Sequence, residues 1–344
     1  MRKEILFAIL AGAIFGLIIA FGVWRANLAL KPAKAPSVTQ DTPEEKTEEF
    51  GLTIAKPQNS QVITNAPVTV TGITSAGSWV AISAEEKDYL LPADESGSFE
   101  QEVDLIGGVN EIIVTAYDTK GTWVSERLLL VFSTEFGEQI GQALPSPTAT
   151  QEADTVREKV AEKVARAKNV PVAYFGTITD ISEATLQIKN QDEEILQVSV
   201  VKDETTFVKV NNVSKKISFS DVAIGDFIVA MGFAEQNAVL EAKRVLITSP
   251  IEPSTRHVVY GEVTEIAKKT VSLTLADNTS WTAEFGKRWE GPELTELAEG
   301  TKVIILGEAE DSTLSVRTLF ITAEETPTPS PSPSPTPSPE AEEE

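Results

Sequence analysis

The chain has 344 residues, of which 41% are hydrophobic, and this is enough for two or three small folded domains. Its formal net charge of -23 at pH 7 repels nucleic acid and anionic lipid surfaces at long range. Because it contains no cysteine and one histidine, His257, disulfide scaffolds, thiolate metal sites and mechanisms with two imidazoles are excluded.

The first feature along the chain is an uncharged apolar stretch from Ile5 to Trp24. Its length matches a hydrocarbon core of roughly 30 Å, with Trp24 at the interface, and it predicts a transmembrane helix within residues 1–30. A cleaved signal peptide is the alternative, but its apolar region is usually shorter. The only nearby cleavage pattern, residues 33–35, lies well beyond the apolar stretch and precedes Pro36. We therefore expect an uncleaved anchor that contacts the bilayer through residues 5–24.

The orientation of this anchor does not follow from the flanking charges. Arg2 and Lys3 precede it, while Arg25, Lys31 and Lys34 follow it, so the positive charges are nearly balanced. The long acidic region that follows is typical of exported segments. The sequence thus favours a single-pass protein of the cell membrane, with a cytoplasmic N-terminus and extracytoplasmic modules.

Three segments outside the β-rich regions differ from them in composition. Residues 31–50 are rich in Pro, Thr and Glu and predict a flexible stalk. Residues 134–171 form a linker in which the capping box at Thr155 and a valine stripe predict a short helix at 155–169. In residues 324–344, Pro alternates with Ser or Thr, which favours extended conformations. This tail is either a spacer that crosses a wall layer or carries glycans, or an unstructured end.

Residues 51–133 contain short apolar or alternating segments bounded by turn residues, which predicts an antiparallel β-sandwich. The strings at 94–97 and 118–121 each end in a glycine for which we expect a positive φ. The segment also contains a characteristic set of residues: Pro57, Val62, the Gly-Ser-Phe at 97–99, and the series from Leu105 through Asn110 to Gly121. This set resembles the bacterial immunoglobulin-like domains of the glucodextranase B-domain type. Thr122 stands where that family commonly has asparagine. The resemblance implies a non-catalytic spacer or adhesion module on an exported protein.

Residues 172–248 and 257–323 are copies of each other. The segment from Tyr174 aligns with the segment from Val259. Three glycine pairs recur: Gly176 with Gly261, Gly225 with Gly300, and Gly232 with Gly307. Each copy offers five or six short strands, enough to close a small β-barrel. The first copy is longer in the middle, around Asn211 and Asn212. Both copies resemble a bacterial envelope domain that is expected to be an OB-like barrel, and no activity carries over from it.

Tryptophans are the candidate contact residues. Trp79 and Trp281 fall at positions expected to face a core, whereas Trp123 and Trp289 lie beside turns. Trp123 and Trp289 are therefore the candidate glycan-contact aromatics, with edge packing as the other interpretation of both.

No pattern in the sequence indicates a catalytic, cofactor or metal site. Nucleophile elbows, phosphate loops and zinc-binding helix motifs are missing. Asp94 and Asp118 have the residue type of Ca²⁺ ligands but fit ordinary turn caps. Basic residues in the first barrel, such as Lys209 and Lys243, are interleaved with acidic ones, so we expect no nucleic-acid partner.

The sequence predicts a mainly β, membrane-anchored envelope protein that displays non-catalytic modules for adhesion, glycan contact or assembly with an envelope protein. A carbohydrate-active accessory or unrecognised hydrolase is the first alternative. A single-strand nucleic-acid binder with OB-type barrels is the second.

Overall fold

The structure is a computed structural model that describes residues 50–143, 170–211, 213–235 and 237–322. This part of the chain is mainly β, with several sheets and small barrels. The predicted stalk except Phe50, the helix predicted at 155–169 and the C-terminal tail lie outside the described residues. So does the predicted membrane span, and none of the described helices has both the length and the apolar character to cross a bilayer.

Residues 50–132 form a sandwich of two sheets. The smaller sheet has the strand order β1-β3-β6 and the larger one the order β2-β8-β7-β4-β5. The strands are β1 (Thr53–Lys56), β2 (Val62–Ile63), β3 (Val68–Ile73), β4 (Trp79–Ser83), β5 (Asp88–Pro92), β6 (Ser98–Val103), β7 (Gly108–Tyr117) and β8 (Trp123–Phe132). Val70, Ile82 and Ile112 belong to the apolar core between the sheets. Gly97 and Gly121 have φ values of 79° and 87°, as the turn strings predicted.

A short helix, α1 (Thr134–Ala143), follows the sandwich directly. Ser133 caps it, because its Oγ accepts a hydrogen bond from the N–H of Phe136 at 3.1 Å. The sequence placed this segment in a linker, since two glycines weaken its helical pattern. Gly137 has a packing reason: a Cβ there would lie 2.9 Å from Cβ of Thr64. The helix is therefore held against the sandwich and is not a free connector.

Residues 172–248 form the first barrel, with seven strands: β9 (Val172–Ser182), β10 (Thr185–Lys189), β11 (Ile195–Val200), β12 (Thr206–Val210), β13 (Ser214–Ile217), β14 (Phe227–Ala234) and β15 (Val239–Thr248). Five of these strands close a ring in the order β9-β10-β11-β15-β14, because β11 pairs in parallel with β15. The hairpin β12–β13 is added outside this ring on β15. It accounts for the extra residues around Asn211 in the first copy.

Residues 256–321 form the second barrel from five strands: β16 (Arg256–Ile266), β17 (Thr270–Thr274), β18 (Ser280–Glu284), β19 (Lys302–Glu310) and β20 (Thr313–Ile321). They close in the order β16-β17-β18-β20-β19, with β18 parallel to β20. Each strand has its equivalent in the ring of the first barrel. In both copies a 3-10 turn, Phe219–Asp221 or Leu294–Glu296, precedes the fourth ring strand.

The recurring glycines allow the barrels to close. Gly225 and Gly300 have φ values of 94° and 87°. Gly232 and Gly307 each lie at a register shift between the last two ring strands. A Cβ at Gly232 would collide with the carbonyl oxygen of Glu241, and one at Gly307 with that of Ser315. The strand can bend there only if no side chain is present.

The same strand of each barrel packs against the sandwich. On β14, Val229 and Met231 face outward and join a buried cluster with Phe136 of α1 and Val131 of β8. The equivalent residues of β19, Ile304 and Leu306, are buried against Ala81 and Tyr117 of the sandwich. Both strands are apolar on both faces, because their inward residues fill the barrel cores. The three modules are thus packed into one body.

We predict that Gly232→Ala and Gly307→Ala each destabilise the protein by about 1–3 kcal/mol, since a methyl group is forced into a closed backbone contact. Gly286→Ala is the control, because nothing lies within 4 Å of its added Cβ. Urea unfolding followed by circular dichroism measures the three differences. Equal midpoints for Gly286→Ala and Gly307→Ala would contradict the role of these glycines.

Candidate functional site

The candidate site is a cleft of about 680 Å³ between the sandwich and the second barrel. The larger sheet of the sandwich contributes Ile113, Thr115, Tyr117, Gly121, Thr122, Trp123, Ser125 and Arg127. The barrel contributes Arg256, His257, Val258, Val259, Tyr260, Leu275, Ala276, Asp277 and Trp281. Neither module contains this cleft alone, so its shape depends on how the two modules dock.

Arg256 is the central polar contact of this docking. Its side chain is only 10% exposed, and its Nη2 lies 3.1 Å from Oε1 of Glu85 and 3.1 Å from Oε2 of Glu111. The same nitrogen donates to the backbone carbonyl of Glu111 at 2.7 Å. A barrel arginine thus pairs with two sandwich carboxylates, in an environment where an unpaired charge is costly.

A second polar contact fixes the other side of the interface. The carboxylate of Asp88 is fully buried, and its Oδ2 accepts hydrogen bonds from Oγ1 of Thr318 at 2.7 Å and pairs with Nε of Arg317 at 3.3 Å. Arg317 also donates to the backbone carbonyl of Ala84 at 2.7 Å. These contacts orient β20 on the edge strand β5 of the sandwich.

Aromatic side chains form the inner wall of the cleft. The hydroxyl of Tyr117 donates to the carbonyl of Val258 at 2.7 Å, and burial raises the pKa of Tyr117 well above its ordinary value. Its ring centroid lies 5.4 Å from that of Tyr260 across the interface. Gly121 allows this approach, because a Cβ there would lie 2.8 Å from Cβ of Ala276. The two modules therefore meet in close contact beneath the open part of the cleft.

Trp123 stands at the open side of the cleft. It lies directly opposite Tyr117 in the β7–β8 register, so both side chains lie on the outer face of the sheet. Trp123 is 62% exposed. Across the cleft, the ring of Trp281 lies 6.4 Å from that of His257. An exposed indole of the sandwich and an aromatic pair of the barrel thus line the same cleft.

Polar groups surround these rings. Thr115 Oγ1 and Ser125 Oγ are 3.0 Å apart on the sheet, and the Arg127 side chain is 48% exposed. On the barrel, Asp277 accepts hydrogen bonds from Oγ1 of Thr279 at 2.6 Å and from its N–H at 2.9 Å. The hydrogen bond from the Thr279 hydroxyl, and then the one from its N–H, lower the pKa of Asp277. Donors and acceptors therefore border an aromatic surface.

The structure separates the two candidate tryptophans. Trp123 is exposed, which is one of the two interpretations that the sequence left open for it. Trp289 is half-buried instead, with its ring edge-on to Phe285 at 4.9 Å between centroids. It lies beside the 3-10 turn before β19 and covers the end of the barrel core. Trp281, which was expected in the core, packs on it and also lines the cleft.

The loop aspartates act as turn caps. Asp94 Oδ1 accepts hydrogen bonds from the hydroxyl and N–H of Ser96 and from the N–H of Ser98, and these bonds lower the pKa of Asp94. Asp118 Oδ1 accepts from the N–H groups of Lys120 and Thr122. Over the described residues, no cluster of three or more His, Asp or Glu side chains is placed to hold a metal ion.

Comparison with known proteins adds little to this geometry. No protein-family model matches the chain, and no curated protein matches it. One similar solved structure is described as a Ca²⁺-stabilized adhesin that helps an Antarctic bacterium reach out and bind ice. It is 16% identical, the alignment covers 78% of this chain and 73% of that chain, and the TM-score is 0.17. At that score the likeness does not establish a shared fold.

We predict that Arg256→Met destabilises the protein by about 3 kcal/mol, because Glu85 and Glu111 then lose the cation that compensates their partly buried charge. Arg256→Lys should recover part of the loss, since an ammonium keeps the charge but not the planar fork. Urea unfolding of the full chain measures both differences.

Arg288→Met is the matched control, because Arg288 is exposed on the same barrel and should change stability by less than about 0.5 kcal/mol. If Arg256→Met and Arg288→Met unfold at the same urea concentration, the ion cluster does not stabilise the docked modules.

Proposed function

We propose that this protein is a non-catalytic adhesion protein of the cell envelope that contacts a glycan in the cleft between the sandwich and the second barrel. The observation that carries the proposal is the exposed Trp123 at the edge of a cleft walled by Trp281 and Tyr260. The flat, apolar face of a sugar ring packs on an aromatic ring, while its hydroxyls need nearby donors and acceptors. Ser125, Arg127 and Asp277 would supply these.

We also propose that the modules are a bacterial immunoglobulin-like domain followed by two OB-type barrels. Both rings have the strand order 1-2-3-5-4, with the third and fifth strands parallel. This order and the five-stranded closure support an OB-type assignment. The two-sheet sandwich with its capped turns supports the immunoglobulin-like assignment. Such modules serve as spacers or binding units on exported proteins.

The number of carboxylates that line the cleft favours binding of a glycan over its hydrolysis. Among the described residues that line it, Asp277 is the only one that carries a carboxylate. Glycoside hydrolysis usually requires two carboxyl groups about 5–9.5 Å apart across the bond that is cleaved. We therefore propose that a bound glycan leaves the cleft with its length unchanged.

The first barrel does not favour a nucleic-acid partner. Lys243 and Arg244 are the basic residues that line its cleft with α1. The Nζ of Lys243 lies 2.8 Å from Oε2 of Glu204 and 2.6 Å from Oε1 of Glu241. Glu135, Glu138 and Asp203 line the same cleft. Phe207, a candidate for base stacking by type, is buried in the barrel core. A polyanion binds to a positively charged surface, and here the paired glutamates neutralise the charge of Lys243.

We propose that residues 5–24 anchor these modules in the membrane with the modules outside the cytoplasm. We expect the full chain, expressed in a bacterium, to remain in membranes after an alkaline wash. The double variant Ile14→Arg with Phe15→Arg should be retained less, because each charge at the centre of a span costs about 2.5–3.5 kcal/mol. Ile14→Leu is the control. Added protease should digest the modules in spheroplasts before lysis. If the double arginine variant is retained as well as Ile14→Leu, or if the modules are protected from protease in spheroplasts, this placement is wrong.

We predict that Trp123→Ala lowers glycan affinity at least tenfold, about 1.4 kcal/mol, because the stacking surface is lost. The full-length protein in detergent is screened against neutral, acidic and amino-sugar oligosaccharides, and the best ligand is titrated by calorimetry. Ile224→Ala is the control, since Ile224 is 64% exposed on the first barrel and outside the cleft. Mass spectrometry of the ligand after incubation should show unchanged chain length.

Two results would overturn the proposal. If no oligosaccharide binds, or Trp123→Ala binds as tightly as the native chain, the cleft is not a glycan site. If the ligand is shortened, and Asp277→Asn stops the shortening, the protein is a hydrolase.

A further inference from the structure

A second cleft, of about 370 Å³, lies beside the first and involves the other barrel. It is formed where the sandwich, the first barrel and the connector between the barrels meet. Its lining includes Leu129 of β8, Tyr174 and Phe175 of β9, Asp192 of the β10–β11 turn, and Glu252 of the connector. Like the first cleft, it combines aromatic surface with polar groups at its edge.

The two clefts share a wall. Arg127 lines both of them, and the outward-facing residues of β8 run from one to the other as Trp123, Ser125, Arg127 and Leu129. These residues alternate along one strand, so their side chains stand in a row on one face of the sheet. The row from Trp123 to Leu129 is about 20 Å long at the rise of a β-strand.

We propose that the two clefts are one groove along β8 that holds a neutral linear glycan, with the second barrel at one end and the first barrel at the other. This inference rests on the proposed glycan contact at Trp123 and extends it to a class of ligand. A single sugar ring would occupy only the Trp123 end. A chain of several sugars reaches past Arg127 to Tyr174 and Asp192.

The charges of the groove define the ligand as neutral. Arg127 Nη1 is paired with Oε1 of Glu111 at 3.0 Å, and Arg256 is held by two glutamates. At the far end, Asp192, Glu194 and Glu252 add negative charge. An acidic polysaccharide would be repelled there, whereas sugar hydroxyls donate hydrogen bonds to such carboxylates.

A length series tests the groove. The full-length protein in detergent is titrated with β-1,4-linked oligomers of glucose and of N-acetylglucosamine, from dimers to octamers. We expect affinity to rise at least tenfold from the dimer to the length that fills about 20 Å, and then to level off. The double variant Asp192→Ala with Glu252→Ala should bind long oligomers about as weakly as dimers and leave dimer binding unchanged.

The control carries the same charge change outside both clefts. Glu183 and Glu299 are exposed on turns of the two barrels, so Glu183→Ala with Glu299→Ala should retain the full length dependence. If dimers and octamers bind equally through Trp123, or the double variant keeps the length dependence, the groove proposal is wrong while the glycan contact stands. If no oligomer binds at any length, the glycan contact fails as well.

Discussion

The buried ion cluster around Arg256 is the constraint on which the candidate site depends. The apolar cluster of Ala81, Tyr117, Ile304 and Leu306 supplies area that is removed from water, but apolar contacts tolerate sliding and rotation. The Arg256 guanidinium bonds to Glu85 and to both the side chain and the backbone of Glu111, and this geometry exists at one relative orientation. Because the cleft is the space left between the docked modules, the same contact sets the distance between Trp123 and the barrel wall.

The duplicated barrels show how one sequence pattern serves two docking roles. In β14 and β19 the apolar residues run continuously, because one set fills the barrel core and the alternate set packs on the sandwich. The barrels dock in different ways: the first reaches α1 and the end of β8, and the second reaches β4 and β7. The two barrels therefore share the pattern of apolar residues in their interiors, while the polar residues on their surfaces differ. Arg256 and Arg317 lie on the second barrel, and their partners lie on the sandwich.

Much of the local structure could be predicted from the sequence. The aspartate turn strings predicted left-handed glycines at positions 97 and 121. Two of the glycine pairs that indicated a duplication lie at equivalent turns and register shifts of both barrels. Local chemistry decides such features. The helix at 134–143 was missed because Gly137 and Gly141 argue against a helix, and only the contact with Thr64 explains the first of them. For Trp289, which lies beside a turn, the sequence allowed either glycan contact or edge packing, and the structure shows edge packing on Phe285.

The cleft itself had a weaker signal in the sequence. Apolar runs on both faces of β14 and β19 indicate that each barrel is covered from outside, but they do not say by what. The partners of Arg256 lie 171 and 145 positions away along the chain, so no local pattern joins them. A site built in this way is coupled to docking. A ligand that touches both Trp123 and Trp281 binds only the docked arrangement, and it therefore stabilises that arrangement by the free energy of its own binding.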